Sequence, residues 1–285
     1  MLEVGSRRMS VSMGPLRRSI LTSENLTGHL PHTLLLIGCV LALACSGTRL
    51  YYLISELPSV KDRSDVVIGP GPWPAVPTVL ASPDRVPDDL VLPTLRALMN
   101  LPGAADSCDA WGQPRPDATE YCVAVYRTPE DWRVTWPIRK LAAPQNSCVP
   151  PYGGVDDADF GRGWPVFGYA HNHPCGLFAS SRDLETFPTA KSPEGAWVFV
   201  GYATTPSGEP ARDSSGQVIA AWAWLATGPR DEPRFYKWNP AGEVFRWNEE
   251  KKRWEFQATC KPQPSPAHSE LRLPPKCSPE LLDWY

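Results

Sequence analysis

Two histidines separated by one residue, in His171-Asn172-His173-Pro174, are the strongest indication of chemistry in this sequence. The apolar run before them predicts a strand, and alternate side chains of a strand point to the same side, so both imidazoles can bind one metal ion. Asp183 follows after a short loop, in the first turn of a predicted helix, and supplies a third ligand. Two histidines and one carboxylate leave a zinc ion one open position for water, which is typical of a catalytic site.

These residues resemble the signature of the JAMM (MPN-type) zinc metallopeptidases, which is His-x-His-Pro, a short loop and Ser-x-x-Asp, with a glutamate on an earlier strand. Here Ser180-Ser181-Arg182-Asp183 matches the second half, and Glu120 is the earlier glutamate. The resemblance implies a zinc ion on His171, His173 and Asp183. It also implies that Glu120 accepts and returns the proton of the attacking water, that Ser180 donates a hydrogen bond to the oxyanion, and that a peptide or isopeptide bond is hydrolysed.

The match departs from the family pattern in its loop. The family usually has seven residues between the second histidine and the serine, whereas six separate His173 from Ser180. Counting to Ser181 restores seven but puts Leu184 where the aspartate belongs, so a shorter loop is the better alignment. Glu120 opens a strand, where a glutamate is commonly a solvated edge residue. The alternatives for its role are Glu130, Asp156, Asp157 and Asp159.

Periodicity indicates the elements that position these residues. Acidic Asp88-Asp89, apolar spacing near 3.6 and a stop at Pro102-Gly103 predict one helix, and a second is predicted to begin at Ser181. β-branched and aromatic runs predict strands at 120–127, 132–138, 166–170, 196–203 and 218–226, and two small hairpins within 234–256. With the resemblance, this pattern implies an α+β class, a three-layer, cytidine-deaminase-like fold in which helices flank a mixed sheet.

The N-terminal residues indicate export. An uncharged apolar run from Thr33 to Ala44 follows Arg17 and Arg18 and ends at Cys45, which resembles the signal of bacterial lipoproteins, whose cysteine becomes the lipid-bearing N-terminus. Cys39 is the alternative lipid site, and an uncleaved membrane anchor is the alternative to a signal. The predicted organisation is a signal peptide at 1–44, a lipid-anchored Pro-rich tether at 45–85, a JAMM-like domain at 86–260 and a Pro-rich tail at 261–285. The domain is then expected in the periplasm or at the cell surface.

The six other cysteines support an oxidising compartment, because their number is even and they form no Cys-x-x-Cys metal pattern. Cys260 and Cys277 are the favoured disulfide pair, since the Pro-rich segment between them has little else to hold it. Cys175 lies beside the predicted metal, where it is either half of a disulfide or a soft extra ligand, and the disulfide is favoured.

The composition excludes some classes of function. With a formal net charge of −3, the chain lacks the excess of basic residues expected of a nucleic-acid-binding protein.

The metal motif and the export signal together predict an envelope-tethered zinc peptidase acting on a protein or peptide substrate. Two alternatives are a catalytically silent JAMM-like lipoprotein that serves as a binding or assembly module, and a secreted effector-type domain. The tryptophans predicted to form core are Trp197, Trp222, Trp224, Trp238, Trp247 and Trp254.

Overall fold

The computed structural model describes residues 66–68, 76, 79–80, 85–140, 148, 155–157, 159–176, 179–187, 189–203, 205, 209–263 and 273–281. The predicted signal peptide, with Cys39 and Cys45, and most of the predicted tether lie outside the described residues. Within the described part of the chain, no helix is both long and apolar enough to cross a membrane.

Strands dominate the described residues, with a share of 42% against 9% for helices. The helices are α1 (Asp88–Met99) and α2 (Ser181–Leu184). The strands are β1 (Val66–Ile68), β2 (Val79–Leu80), β3 (Cys122–Arg127), β4 (Asp131–Val134), β5 (Ile138–Lys140), β6 (Val155–Asp157), β7 (Gly161–Trp164), β8 (Val166–Asn172), β9 (Thr189–Lys191), β10 (Trp197–Phe199), β11 (Trp222–Thr227), β12 (Arg234–Trp238), β13 (Glu243–Asn248), β14 (Arg253–Lys261) and β15 (Lys276–Ser278).

The predicted three-layer α+β fold is wrong, because the described helices do not form layers that flank the sheet. They are only 12 and 4 residues long. Strands such as β3, β12 and β13 are rich in aromatic and β-branched residues, and the sequence contains 33 prolines, one of them within α1, a composition that favours strands and breaks helices. The second predicted helix stops at Leu184, and Pro188 disfavours helical geometry at the residue before it. The resemblance that implied the layers covers only the short segment from His171 to Asp183.

One 11-stranded sheet carries the fold, in the order β1-β5-β3-β8-β11-β12-β13-β14-β15, with β2 paired to β4 and β4 to β3. β8 and β11 pair in parallel, whereas the other described neighbours of this sheet pair antiparallel. The predicted hairpins within 234–256 are confirmed, since β12, β13 and β14 form successive antiparallel pairs. β8 lies between β3 and β11 and is buried along its whole length. The strand that carries the first histidine is therefore central.

Each face of this sheet carries its own core. On one face α1 packs its apolar side against buried residues of the sheet that include Val123 and Trp224. On the other face Leu225 and its neighbours pack against Leu184 and Phe199, which belong to the chain segment between β8 and β11. Because His171 pairs directly with Leu225, the predicted metal ligands lie on this second face.

The prediction of a tryptophan core is only partly correct. Trp224 and Trp238 are buried, whereas the other four are half-buried. Two of the half-buried rings are covered by the ammonium group of Lys237, which lies 4.9 Å from the ring centroid of Trp222 and 4.6 Å from that of Trp254. A charged group covers these rings, as is common for aromatic residues near a surface.

Three disulfides join the six described cysteines, as Cys108–Cys175, Cys122–Cys148 and Cys260–Cys277. The predicted pair of Cys260 with Cys277 is confirmed. It joins β14 to β15, where the two residues lie opposite each other on adjacent strands. Disulfides persist in oxidising compartments, so these three indicate an oxidising environment for the domain.

Replacing Cys260 and Cys277 together by alanine is expected to lower the free energy of unfolding by about 3 kcal/mol, because the bond closes a loop across 17 positions of the chain. Urea denaturation at equilibrium measures the change. Ser278→Ala, at an exposed position of the same strand, is the control and should change it little. A loss in the double variant no larger than in this control would contradict the prediction.

Candidate metal centre

The end of β8 places two histidines on one face of the sheet. His171 lies opposite Cys122 of β3 and Leu225 of β11, and only 1% of its surface is exposed. His173 follows the strand, and its backbone N–H donates a hydrogen bond of 2.8 Å to the carbonyl of Ala226. This bond extends the parallel pairing past β8, so both imidazoles point to the same side, as their spacing predicts.

The carboxylate of Asp183 joins the two imidazoles. Its Oδ1 lies 3.2 Å from Nε2 of His171, and its Oδ2 lies 3.1 Å from Nε2 of His173. One ligand atom from each of the three residues lies within 4.8 Å of the others. Ligands about 2.0–2.1 Å from a tetrahedral zinc ion are about 3.3–3.4 Å apart. The structure thus brings the three predicted ligands together, with each Asp183 oxygen beside one imidazole.

The loop after His173 is tied to the rest of the domain. The carbonyl of Pro174 accepts a hydrogen bond of 3.1 Å from the backbone N–H of Ser107. The next residue, Cys175, is bonded to Cys108, so its sulfur forms a disulfide rather than the soft ligand considered as the alternative. One residue further, the carbonyl of Gly176 accepts a bond of 2.8 Å from the hydroxyl of Thr227. These ties fix the backbone on the C-terminal side of the second histidine.

Ser180 and Asp183 form a reciprocal cap at the start of α2. The backbone N–H and the hydroxyl of Ser180 both donate to Oδ2 of Asp183, and the backbone N–H of Asp183 donates to Oγ of Ser180 over 3.3 Å. This arrangement is the capping box of helix N-termini, with an aspartate in place of the usual glutamate. The Ser180 hydroxyl therefore orients the third ligand, and because it has a single proton, the oxyanion role that the resemblance implies would require that proton to leave Asp183.

The neighbours of Asp183 stabilise its ionised carboxylate. Burial by itself would raise the pKa of Asp183, but attraction to His173 and His171 and hydrogen bonds from both hold that pKa well below its usual range. The ring of Tyr169 stacks on His171 at a centroid distance of 5.5 Å, and the edge of Trp238 lies at 6.1 Å. His171 is thus held by packing, with its Nε2 turned toward Asp183.

Glu120 lies on the same face, two residues before Cys122. Because Cys122 is opposite His171 in an antiparallel pair, Glu120 falls opposite His173. The side chain is buried, with 8% of the residue exposed, and its Oε1 lies 3.5 Å from Sγ of Cys148. Burial raises the pKa of Glu120, although the two histidines and a hydrogen bond from the backbone N–H of Cys148 act in the opposite direction. The structure places this glutamate within the electrostatic reach of all three ligands.

The alternatives to Glu120 lie away from the predicted ligands. Asp157 is bonded to the hydroxyl of Tyr126 over 2.7 Å and to the guanidinium of Arg133 over 3.0 Å. Asp159 also bonds to Arg133, over 2.8 Å. Glu130 is exposed in the turn between β3 and β4. Because β3 runs antiparallel to β8, these residues and β6, which contains Asp156, belong to the end of β3 opposite the histidines.

Asn172 is a structural residue that the motif treats as variable. It is completely buried on the opposite face, where its Oδ1 accepts from the backbone N–H of Tyr121 over 2.8 Å. Its Nδ2 donates to the carbonyls of Ala104 and Thr119, over 2.7 and 3.1 Å. One amide thereby joins β8 to two chain segments that lie beside α1 and β3. A polar residue in an otherwise apolar buried strand is the sequence signal that indicates such a role.

Replacing Asn172 by alanine is expected to lower the free energy of unfolding by at least about 3 kcal/mol, since three buried backbone groups lose their partner and each costs about 1–3 kcal/mol. Urea denaturation checks this. Asn100→Ala, at the exposed end of α1, is the matched control and should cost far less. Equal losses in the two variants would contradict the structural role of Asn172.

Comparison of the chain with protein families, with characterised proteins and with solved structures finds no match. The resemblance to the JAMM signature therefore stays confined to the segment from His171 to Asp183 and to Glu120.

Proposed function

We propose that this chain is a zinc-dependent hydrolase of peptide or isopeptide bonds, of the kind that its JAMM-like residues imply. The observation that carries the proposal is the convergence of His171, His173 and Asp183 next to a buried glutamate on the same face. A zinc ion held by these three residues would polarise a water molecule and the carbonyl of the substrate. The donor set, two imidazole nitrogens and one carboxylate, is typical of catalytic rather than structural zinc.

The residues around the centre suit the proton transfers of hydrolysis. Water adds to the carbonyl carbon, the C–N bond breaks, and one proton must pass from the water to the leaving nitrogen. Glu120 is the buried carboxylate beside the ligands, so we assign it the acceptance and return of that proton. Asp183 would supply the one negatively charged ligand beside two neutral imidazoles, and Ser180 fixes the orientation of Asp183.

The most direct test measures zinc in the purified full chain and cleavage of a defined set of linear and lysine-branched peptides. We expect about one zinc per chain, as for a three-residue catalytic site, and cleavage that stops on chelation and resumes when zinc is returned. A parent chain without zinc would contradict the proposal. Bound zinc without cleavage of any peptide would favour the binding or assembly module instead.

We also propose that the chain is held at the envelope by a lipid on Cys45. The three disulfides support an oxidising environment outside the cytoplasm, and the apolar run before Cys45 resembles a lipoprotein signal. In labelling with a fatty-acid analogue, Cys45→Ser should lose the label and leave the membrane fraction, whereas Cys39→Ser should keep both. The reverse result would assign the lipid to Cys39, and an unlabelled parent chain would contradict lipidation.

A further inference from the structure

A cavity of about 250 Å³ lies on the same side of the molecule as the metal centre. Two walls come from the segment between β8 and β11, and the others come from the residues around β14 and β15. The described residues that line it are aromatic, proline, aliphatic and polar residues and one carboxylate, namely Glu185, Thr189, Trp197, Phe199, Pro262, Gln263, Leu273 and Pro275. The volume is below the roughly 300–1,000 Å³ of sites for drug-sized ligands, so the cavity suits a single side chain.

The cavity is connected to the metal centre through a short chain of contacts. Glu185 lies two residues after Asp183, at the end of α2. The neighbouring Thr186 shares a hydrogen bond of 2.7 Å with the hydroxyl of Tyr169. Tyr169 in turn stacks on His171. The chain segment that carries Asp183 thus also forms part of the cavity wall.

The lining chemistry favours a cation with an apolar stem. Trp197 and Phe199 present aromatic rings, and such rings attract ammonium groups through their quadrupoles. The Trp197 ring already has one such contact, because Nζ of Lys191 lies 5.5 Å from its centroid, so a bound ammonium would have to meet the other face of the ring. Among the described residues, none forms a salt bridge with the carboxylate of Glu185. One carboxylate beside aromatic and proline surfaces complements an alkyl-ammonium side chain in both charge and polarity.

We propose that this cavity, on the side of the sheet that carries the metal centre, binds the ammonium-bearing side chain of a peptide substrate, of the lysine type. Glu185 would accept hydrogen bonds from the ammonium group, the ring face of Trp197 would contact that group, and the prolines would contact the alkyl stem. The proposal rests on the proposed function only for the statement that the bound peptide is then hydrolysed. Binding itself requires neither zinc nor Glu120.

The test measures binding of three short blocked peptides of equal length to the full chain, by calorimetry or by ligand-observed NMR. Their central residue is lysine, acetyl-lysine or norleucine, and free lysine serves as a fourth probe to separate a peptide side chain from a free amine. We expect the lysine peptide to bind at least about tenfold more tightly than the acetyl-lysine and norleucine peptides, because only it carries the charge. Free lysine should bind more weakly than the blocked peptide, since it lacks the backbone contacts.

Two variants test the lining directly. Glu185→Gln keeps the shape and removes the charge, and Trp197→Leu removes the ring, so each should weaken binding of the lysine peptide by about tenfold. Glu250→Gln, in the exposed turn between β13 and β14, is the matched control and should leave binding unchanged. Equal binding of the lysine and norleucine peptides by the parent chain, or full binding by Glu185→Gln, would overturn the proposal.

A final arm separates this proposal from the proposed function. His171→Ala removes a predicted ligand, and the lysine preference should persist in that variant because no lining residue is a metal ligand. Lysine-selective binding in a parent chain that holds no zinc would contradict the hydrolase and support the cavity. Zinc and peptide cleavage without any lysine preference would do the opposite.

Discussion

Replacing Glu120 by glutamine is expected to leave zinc bound and to lower kcat/KM by about 10²–10⁴-fold, the usual contribution of a positioned acid or base. Glutamine has nearly the same shape, so the buried space beside Cys148 stays filled, but its amide cannot accept the proton of the attacking water. The measurement is the rate of cleavage of any peptide that the parent chain hydrolyses, together with the zinc content of the variant.

Glu130→Gln is the matched control for this change, because the residue is exposed at the other end of β3 and should leave both values unaltered. A Glu120→Gln variant as active as the parent chain would remove this residue from the mechanism. A variant that loses its zinc would make Glu120 a ligand rather than a base. The two readouts distinguish these results from the expected one.

Replacing His173 by alanine, or Asp183 by asparagine, is expected to reduce bound zinc from about one per chain to less than about 0.1, because two remaining ligands do not form a stable zinc site. Asparagine at 183 keeps an oxygen that can accept from Ser180, so the cap on α2 survives while the charge is lost. Elemental analysis of the purified variants measures the loss. Asp231→Asn, at an exposed position, is the control.

Thermal unfolding provides an independent readout of the same change. A metal that binds only the folded state stabilises it by about 2.7 kcal/mol at a free concentration 100 times Kd. A chelator should therefore lower the Tm of the parent chain by about 5–10 °C for a domain of this size. The variants that lack zinc should show no such shift. An identical shift in Asp183→Asn and in the parent chain would mean that the metal binds elsewhere.

The local geometry of the site follows from the sequence, whereas the fold around it does not. The i, i+2 spacing of His171 and His173 at a strand end is enough to place both imidazoles on one face, because strand side chains alternate. Glu120 needs one more fact, the register of β3 against β8, which no local pattern contains. The layers of helices were inferred from a short motif, and a motif specifies only the residues it covers.

Two further features depend on contacts that are distant in the chain. Asn172 is bonded to Ala104, Thr119 and Tyr121, so its role becomes visible only when those segments are placed around it. The disulfides also differ in how far apart their cysteines lie in the sequence. Cys260 and Cys277 are close in sequence and could be paired from it, while Cys108 and Cys175 are 67 positions apart and could not. Spatial neighbours across such separations are set by the whole fold.

The parallel pairing of β8 and β11 has a consequence for how this domain could diversify. Parallel neighbours require a long crossover connection, and here residues 173–221 form it. That one stretch contains His173, Asp183 and the cavity residues Glu185, Trp197 and Phe199, while the strands beneath it supply His171 and the support. Two of the three predicted ligands and half of the described cavity lining are thus encoded in one crossover, and the other half of the lining lies around β14 and β15. Under the proposed function, substitutions at Glu185, Trp197 or Phe199 would change which peptide is accepted without altering the 11-stranded sheet.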